Sequence, residues 1–412
     1  MSVAVGHERR ARRAARIVAS LLAATAVVAG PGRAGAADPE QPFTPVVHDV
    51  LAGDLVMAGN SNLVSAGGFR RADQAVADVD GDTTQLCVGR IYVPAACGEN
   101  SSSATLDVPV GARVVAARLY VNTTLASGTG PVQARLDGPA AGFDYTELST
   151  MTPGITKVRE NAGSTTRSAL PMRQAVWDVT SYVQTAGAGS YTVADIVFER
   201  TGAYTPYAAW TIVAAYELDP PADVTGMTPE QQARFAPRAI TWDDGFATLT
   251  NGSVDIQVAG FAVPAGAAMF GKTFHLAANP RPRSFESLLF DGQPAGNSAS
   301  PGNAPAPAGA LVGTDPACNS ATDVVNDSIC VLGSPVATKV PGAGDYVAAR
   351  DGRTPSSGSG VDFDVTRVPD RYFLAGATSA TLSLQSAARS PLAVGMLAAS
   401  IDLPAAAPAA NP

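Results

Sequence analysis

Val108-Pro-Val-Gly-Ala112 returns as Val263-Pro-Ala-Gly-Ala267, and the chain around each copy keeps step with the other. An Asp-Gly pair follows at nearly the same distance, 26 residues from Gly111 to Asp137 and 25 from Gly266 to Asp291. Each copy then has an Asp-Val-Thr, at Asp178 and at Asp364. From there to the end of a final apolar segment is 40 residues to Leu218 and 39 to Leu403. Landmarks repeated in order and at matched distances predict one module used twice. The copies differ between Asp-Gly and Asp-Val-Thr, 41 residues in the first and 73 in the second. Much of the excess is Pro294 to Pro316, a stretch of Pro, Ala, Gly, Ser and Asn that cannot build a core and reads as a surface loop.

Between the landmarks the signals are those of strands. Ala104-Thr-Leu-Asp-Val108 alternates and stops at a proline turn. Arg113 to Val121, Tyr191 to Phe198 and Trp210 to Tyr216 are longer and more apolar. The second half offers Ser253 to Val258, Lys272 to Leu276, Ser287 to Phe290, Ala380 to Leu384 and Val394 to Leu403. Short strands divided by Gly- and Pro-bearing turns, with no alternating long helices, predict an all-β fold. The expected architecture is two tandem antiparallel β-sandwiches, jelly-roll or Ig-like, rather than a parallel α/β sheet. Asp219-Pro-Pro-Ala222 reads as a stiff joint. Thr228-Pro-Glu-Gln231 supplies an N-cap, a first-turn proline and a capping-box glutamine, which predicts a short helical connector through Phe235. A second short helix is expected near Asp178 to Val183, ahead of Gly187.

The N-terminus has the form of an export signal. Arg9, Arg10, Arg12, Arg13 and Arg16 precede a short apolar run from Ile17 to Ala29, and Ala34-Gly35-Ala36 fits a cleavage site. The run is too short for a permanent membrane span, which needs roughly 20 apolar residues. The expected organisation is therefore a signal peptide at 1–36, a first sandwich at 37–220, a linker at 221–237, a second sandwich at 238–404 and a disordered Ala/Pro tail at 405–412. Removing residues 1–36 takes away six arginines and Glu8, which moves the net charge from −8 to 22 − 35 = −13. Such a surface repels phosphate backbones and anionic lipid heads, so nucleic acid and membrane adhesion are not expected. An envelope polymer, a glycan or another protein is the expected partner.

Four cysteines fall in two close pairs, Cys87/Cys97 and Cys318/Cys330. In an exported chain these read as local disulfides, each worth about 2–3 kcal/mol by the loop-entropy argument. A zinc site would want closer Cys-x-x-Cys spacing and neighbouring histidines. Asp78-Val-Asp-Gly-Asp82 is the sharpest candidate site. Asp78, Asp80 and Asp82 could converge on calcium, but Gly89 stands where a twelve-residue loop needs a bidentate acid, and Thr83 where a glycine is usual. A solvated acidic turn is the competing reading, and no other cofactor is expected.

Catalytic constellations are sparse. After signal removal only His48 and His275 remain, and no Gly-x-Ser-x-Gly elbow, His-Glu-x-x-His helix or Gly-rich phosphate loop is present. No catalytic residue is assigned and the chain is expected to be non-enzymatic. The alternative is a carbohydrate-binding or carbohydrate-hydrolysing secreted protein, with Asp243-Asp244 beside Trp242 as the first carboxylates to suspect. Aromatic residues make up only 6% of the chain, and Trp177, Trp210 and Trp242 lie in or beside apolar strands, which favours packing over sugar stacking.

Five segments in order carry a resemblance: Asp78 to Asp82, Asn100-Ser-Ser-Ser-Ala-Thr-Leu106, Gly111 to Val121, Tyr207-Ala-Ala-Trp-Thr-Ile-Val-Ala-Ala-Tyr-Glu217 and Asp244-Gly-Phe-Ala247. Over roughly residues 48 to 403 the chain resembles the N-terminal region of large bacterial exported, cell-surface proteins whose later parts carry repeated domains of unknown function. That resemblance implies an adhesin-like, non-enzymatic β module of unassigned ligand. The chain departs from it in the Cys87–Cys97 insertion and in ending at Pro412 without repeats, sorting motif or apolar anchor, so free secretion is the expectation.

Overall fold

The computed structural model describes residues 41–65, 74–76, 79–80, 100–124, 132–140, 142–149, 156–160, 172–198, 208–219, 226–228, 232–278, 286–291, 329–332, 334–340, 344–347, 361–368, 370–386 and 392–404. The expected signal peptide, the Pro294 to Pro316 loop and the tail lie outside these. The described chain is all-β, with 23 strands in antiparallel sheets and one parallel pair, Ile329–Val331 beside Val361–Val368. Two large sheets dominate. One runs β2-β12-β6-β10-β9, through Gly53–Ser61, Ala208–Glu217, Arg113–Thr124, Met172–Asp178 and Thr156–Glu160. The other runs β1-β13-β23-β15-β21-β17-β18, through Gln41–Leu51, Arg238–Leu249, Leu392–Asp402, Gly271–Ala278, Val361–Val368, Ile329–Val331 and Ser334–Pro335. Smaller sheets cover their outer faces. These are β5-β11-β7-β8 (Ser101–Leu106, Gly189–Ala194, Gln133–Asp137, Thr146–Ser149) and β14-β22-β16 (Gly252–Ala259, Ser379–Ser386, Glu286–Phe290).

The strand orders in the two halves correspond element for element. The order β5-β11-β7 matches β14-β22-β16, and β2-β12-β6-β10 matches β13-β23-β15-β21. The pentapeptide that recurs in the sequence is the turn from the small sheet into the large one. Ala112 N–H donates to Pro109 O at 3.0 Å, and Ala267 N–H to Pro264 O at 3.3 Å. Gly111 (φ 80°) and Gly266 (φ 74°) occupy the position of a type II turn that needs positive φ, which is why glycine recurs there. The ends of the two final strands also match, with Leu218 N–H donating to Ala52 O and Leu403 N–H to Pro237 O. The helix α1 covers Thr180–Ala186 and ends at Gly187 (φ 77°), and Gln184 of this helix donates to Val114 O. At the connector, Gln232 N–H donates to Thr228 O at 3.0 Å and Phe235 N–H to Gln232 O at 3.0 Å.

Three apolar clusters alternate with the sheets. Leu119, Val121, Trp177, Trp210 and Ile212 fill the space between the five-stranded and four-stranded sheets. Leu249, Ile256, Phe290, Leu382 and Ile401 do the same for the seven- and three-stranded pair. The third cluster joins the halves, with Leu55, Met57, Tyr120 and Val213 packed against Trp242, Phe246, Phe274, Phe363 and Met396. This explains the near-continuous apolar runs of β12 and β23. Their alternate residues feed different cores, so neither face is left for water.

Two charged struts cross this central layer in opposite senses. Asp54 of β2 pairs with Lys272 of β15, accepts from Ser400 Oγ at 2.6 Å and stands 3.7 Å from Arg238 Nε. In return Arg118 of β6 pairs with Asp244 of β13, while Trp242 Nε1 donates to Tyr120 Oη at 3.2 Å. Glycines let the sheets approach. A Cβ on Gly59 would stand 2.8 Å from Phe363, and one on Gly395 would overlap Gln174. The first strand, β1, precedes every strand of the first half, yet it pairs along β13 from Leu51↔Arg238 to Gln41↔Phe246 and sends Val47 and Leu51 into the central cluster.

Candidate functional site

The acidic turn is tied down at its middle residue. Ser101, the first residue of β5, accepts from Val79 N–H at 2.8 Å and Asp80 N–H at 3.2 Å, and its hydroxyl donates to Asp80 Oδ1 at 2.8 Å. Tyr145 Oη donates to Asp80 Oδ2 at 2.6 Å. Both oxygens of the carboxylate therefore take a hydroxyl hydrogen bond from the framework. Asp78, Asp82, Cys87 and Cys97 lie outside the described residues, so the convergence expected of three aspartates rests here on Asp80 alone.

Behind Asp80 a buried polar network runs into the first sandwich. Asn62 Nδ2 donates to Asn100 Oδ1 at 2.5 Å and to Val193 O at 3.0 Å. Ser102 Oγ donates to Asn62 Oδ1 at 2.5 Å and accepts from Trp210 Nε1 at 2.8 Å. Asn100 closes the set by accepting from Ile196 N–H and donating to Ile196 O. Buried amides and hydroxyls are tolerated when every member finds a partner. The Asn100–Ser103 and Ala208–Trp210 segments thus meet in space, where they join β2, β5, β11 and β12.

The neighbouring carboxylates Asp243 and Asp244 do not share a groove. Successive strand residues point to opposite faces. Asp243, itself buried, turns to the face away from the central layer and stands 2.9 Å from His48 Nε2, while Asp244 turns to Arg118 across that layer. Trp177, Trp210 and Trp242 are each no more than 1% exposed and serve the cores. Among the described residues the exposed phenylalanines are Phe143 and Phe270. Phe143, 48% exposed, stacks on Tyr145 with ring centroids 5.8 Å apart, next to Asp144 and the Asp80 hydroxyl bond.

One group of ionisable residues was not singled out by sequence pattern. His275 of β15 lies opposite Asp364 of β21, and Asp362 stands two residues along the same face. All three are fully buried, and His275 Nε2 lies 3.0 Å from Asp362 Oδ1. Asp364 Oδ1 accepts from Cys330 N–H at 2.7 Å. One potential ligand atom from each of the three falls within 4.8 Å of the others. A signal was present in Val361-Asp-Phe-Asp-Val365, where acids alternate with core residues in a strand between apolar neighbours. Cys330 is buried on β17, and no free cysteine occurs among the described residues. Its expected partner Cys318 lies outside them. No helix among the described residues is long and apolar enough to cross a membrane. No protein-family model matches the chain, and no curated protein matches it.

Proposed function

We propose that the chain is a secreted or cell-envelope-associated protein with a structural or adhesive, non-catalytic role, built from two copies of one β-sandwich module. The observation that carries this reading is where the chemically able side chains are spent. Trp177, Trp210, Trp242, Asp54, Asp244 and the Asn62–Asn100–Ser102 set all hold sheets to one another. An architecture that invests its buried polar groups in rigidity suits a load-bearing or ligand-presenting body. Function on such a scaffold resides in what its surface loops bind. The matching strand orders and matching Gly111 and Gly266 turns support the duplication. The arginine-rich leader supports export.

The test is retention of purified residues 37–412 on immobilised cell-wall polysaccharides, peptidoglycan and glycoconjugates. Retention without release of reducing ends is expected. Release of reducing ends from any of these polymers would overturn the non-catalytic role, and retention on none of them would overturn the envelope-binding one. N-terminal sequencing of the exported protein should find a start at Ala37.

A narrower reading, carbohydrate binding, is favoured by the Phe143–Tyr145 stack. The exposed Phe143 ring, stacked on the half-buried Tyr145 and beside Asp144, offers a sugar an apolar face and acceptors for its hydroxyls. Under that reading Phe143→Ala abolishes polysaccharide retention with no change in melting temperature. Retention unaffected by Phe143→Ala places the contact elsewhere.

A further inference from the structure

We propose that His275, Asp362 and Asp364 form a binding site for one divalent first-row transition ion, with zinc and manganese as the chemically matched probes. The argument starts from a contrast between corresponding strands. On β6 and β10, the face turned away from the central layer holds Leu119, Val121, Ala175 and Trp177, all in the apolar core. The same face of the corresponding strands β15 and β21 holds His275, Ala277, Asp362 and Asp364. One half therefore fills this position with hydrocarbon and the other with three ionisable groups, each fully buried. Apolar residues serve that position well in the first half, so stability alone does not call for acids and an imidazole in the second. His275 and Asp362 hydrogen-bond to each other and Asp364 accepts from the Cys330 amide, which holds the three groups together inside the protein.

The geometry suits a metal. His275 Nε2 and Asp362 Oδ1 are hydrogen-bonded at 3.0 Å, which already brings the two atoms close to the roughly 3.4 Å that separates tetrahedral ligands about 2.1 Å from one ion. All three ligand atoms fall within 4.8 Å of one another, as they must around one ion. Asp364 is also oriented by the Cys330 amide, the kind of outer contact that fixes a ligand's direction. The donor set decides the ion class. Calcium and magnesium take oxygen ligands, whereas an imidazole with two carboxylates suits zinc, manganese or iron. Strands β15 and β21 supply all three ligands, and Asp80 is not among them.

The test is elemental analysis of the folded mature protein, produced in medium containing zinc and manganese and desalted. About one ion per chain is expected, with a melting temperature that falls by several degrees on prolonged chelation and recovers on adding the ion back. His275→Gln retains a polar side chain in place of the imidazole and should bring the stoichiometry close to zero, while Asp80→Asn should keep the ion. X-ray absorption at the metal edge of the unaltered protein gives a second reading that needs no variant. One imidazole within a nitrogen and oxygen shell at about 2.0–2.2 Å is expected. Folded protein free of metal overturns the proposal. So does an ion retained by His275→Gln, or a shell containing sulfur or lacking imidazole.

Discussion

A carboxylate taken out of water is costly unless a cation and hydrogen bonds go with it. Asp244 is wholly buried against Arg118 and Tyr120, whereas its neighbour Asp243 faces a half-exposed histidine. Asp244→Ala strands the Arg118 guanidinium in the central layer and should cost about 3–5 kcal/mol. Asp243→Ala should cost less, about 1–2 kcal/mol, because Asp243 is buried but the half-exposed His48 it leaves behind can turn to water. Urea denaturation of both variants measures the contrast, and equal losses would contradict the opposite-face geometry. Two tyrosines make a separate prediction about pH. Burial, and then the neighbouring Tyr182, pushes the Tyr191 hydroxyl from 10.0 up to about 12. Burial, and then the charge of Asp54, does the same to Tyr216. The fold thus favours the neutral phenol. Above pH 10 the unfolded chain releases protons that the folded chain keeps, so stability present below pH 10 is lost as pH rises through about 12. With solvent screening allowed for, the loss is on the order of 1–2 kcal/mol per ring. Melting curves between pH 9 and 12 should show it, and Tyr191→Phe should flatten the slope.

At the scale of strands, the fit between the two large sheets is set by missing side chains as much as by present ones. Gly395 of β23 faces Gln174 of β10, whose amide nitrogen donates to Asn122 Oδ1 at 3.0 Å. Gly395→Ala should cost about 1–3 kcal/mol through overpacking. Adding Gln174→Ala should restore part of that, and a thermodynamic cycle showing strict additivity would place the strain elsewhere. Strands such as β12 and β23 are plain in the sequence because both faces are apolar. Strand β2 is harder to read, since Asp54, Gly59 and Asn60 interrupt its pattern. Each has a long-range duty to Lys272, Phe363 or Ser103 that no local period can reveal. Strand β21 is obscured in the same way by Asp362 and Asp364. The candidate calcium turn was legible as a motif, but the hydroxyl partners of Asp80 come from residues 21 and 65 positions away. The pairing of β1 with β13 has no local signature.

At the scale of the whole molecule, the described body is knit by a central cluster that draws on both halves, with reciprocal ion pairs crossing between them. Calorimetry should therefore show one unfolding transition across the described body, coincident by tryptophan fluorescence and by far-ultraviolet circular dichroism. Trp177 and Trp210 report the first half and Trp242 the shared layer. Two resolved transitions would mean that the halves melt independently. The position of β1 bears on time as well as on stability. Its His48 meets Asp243 across 195 residues of chain. At about 5–20 residues per second of synthesis, that partner emerges some 10–40 seconds later. The first described strand to be made is thus held open for its late-arriving neighbour, an aggregation-prone interval that a translocation channel or a holding chaperone would be well placed to cover.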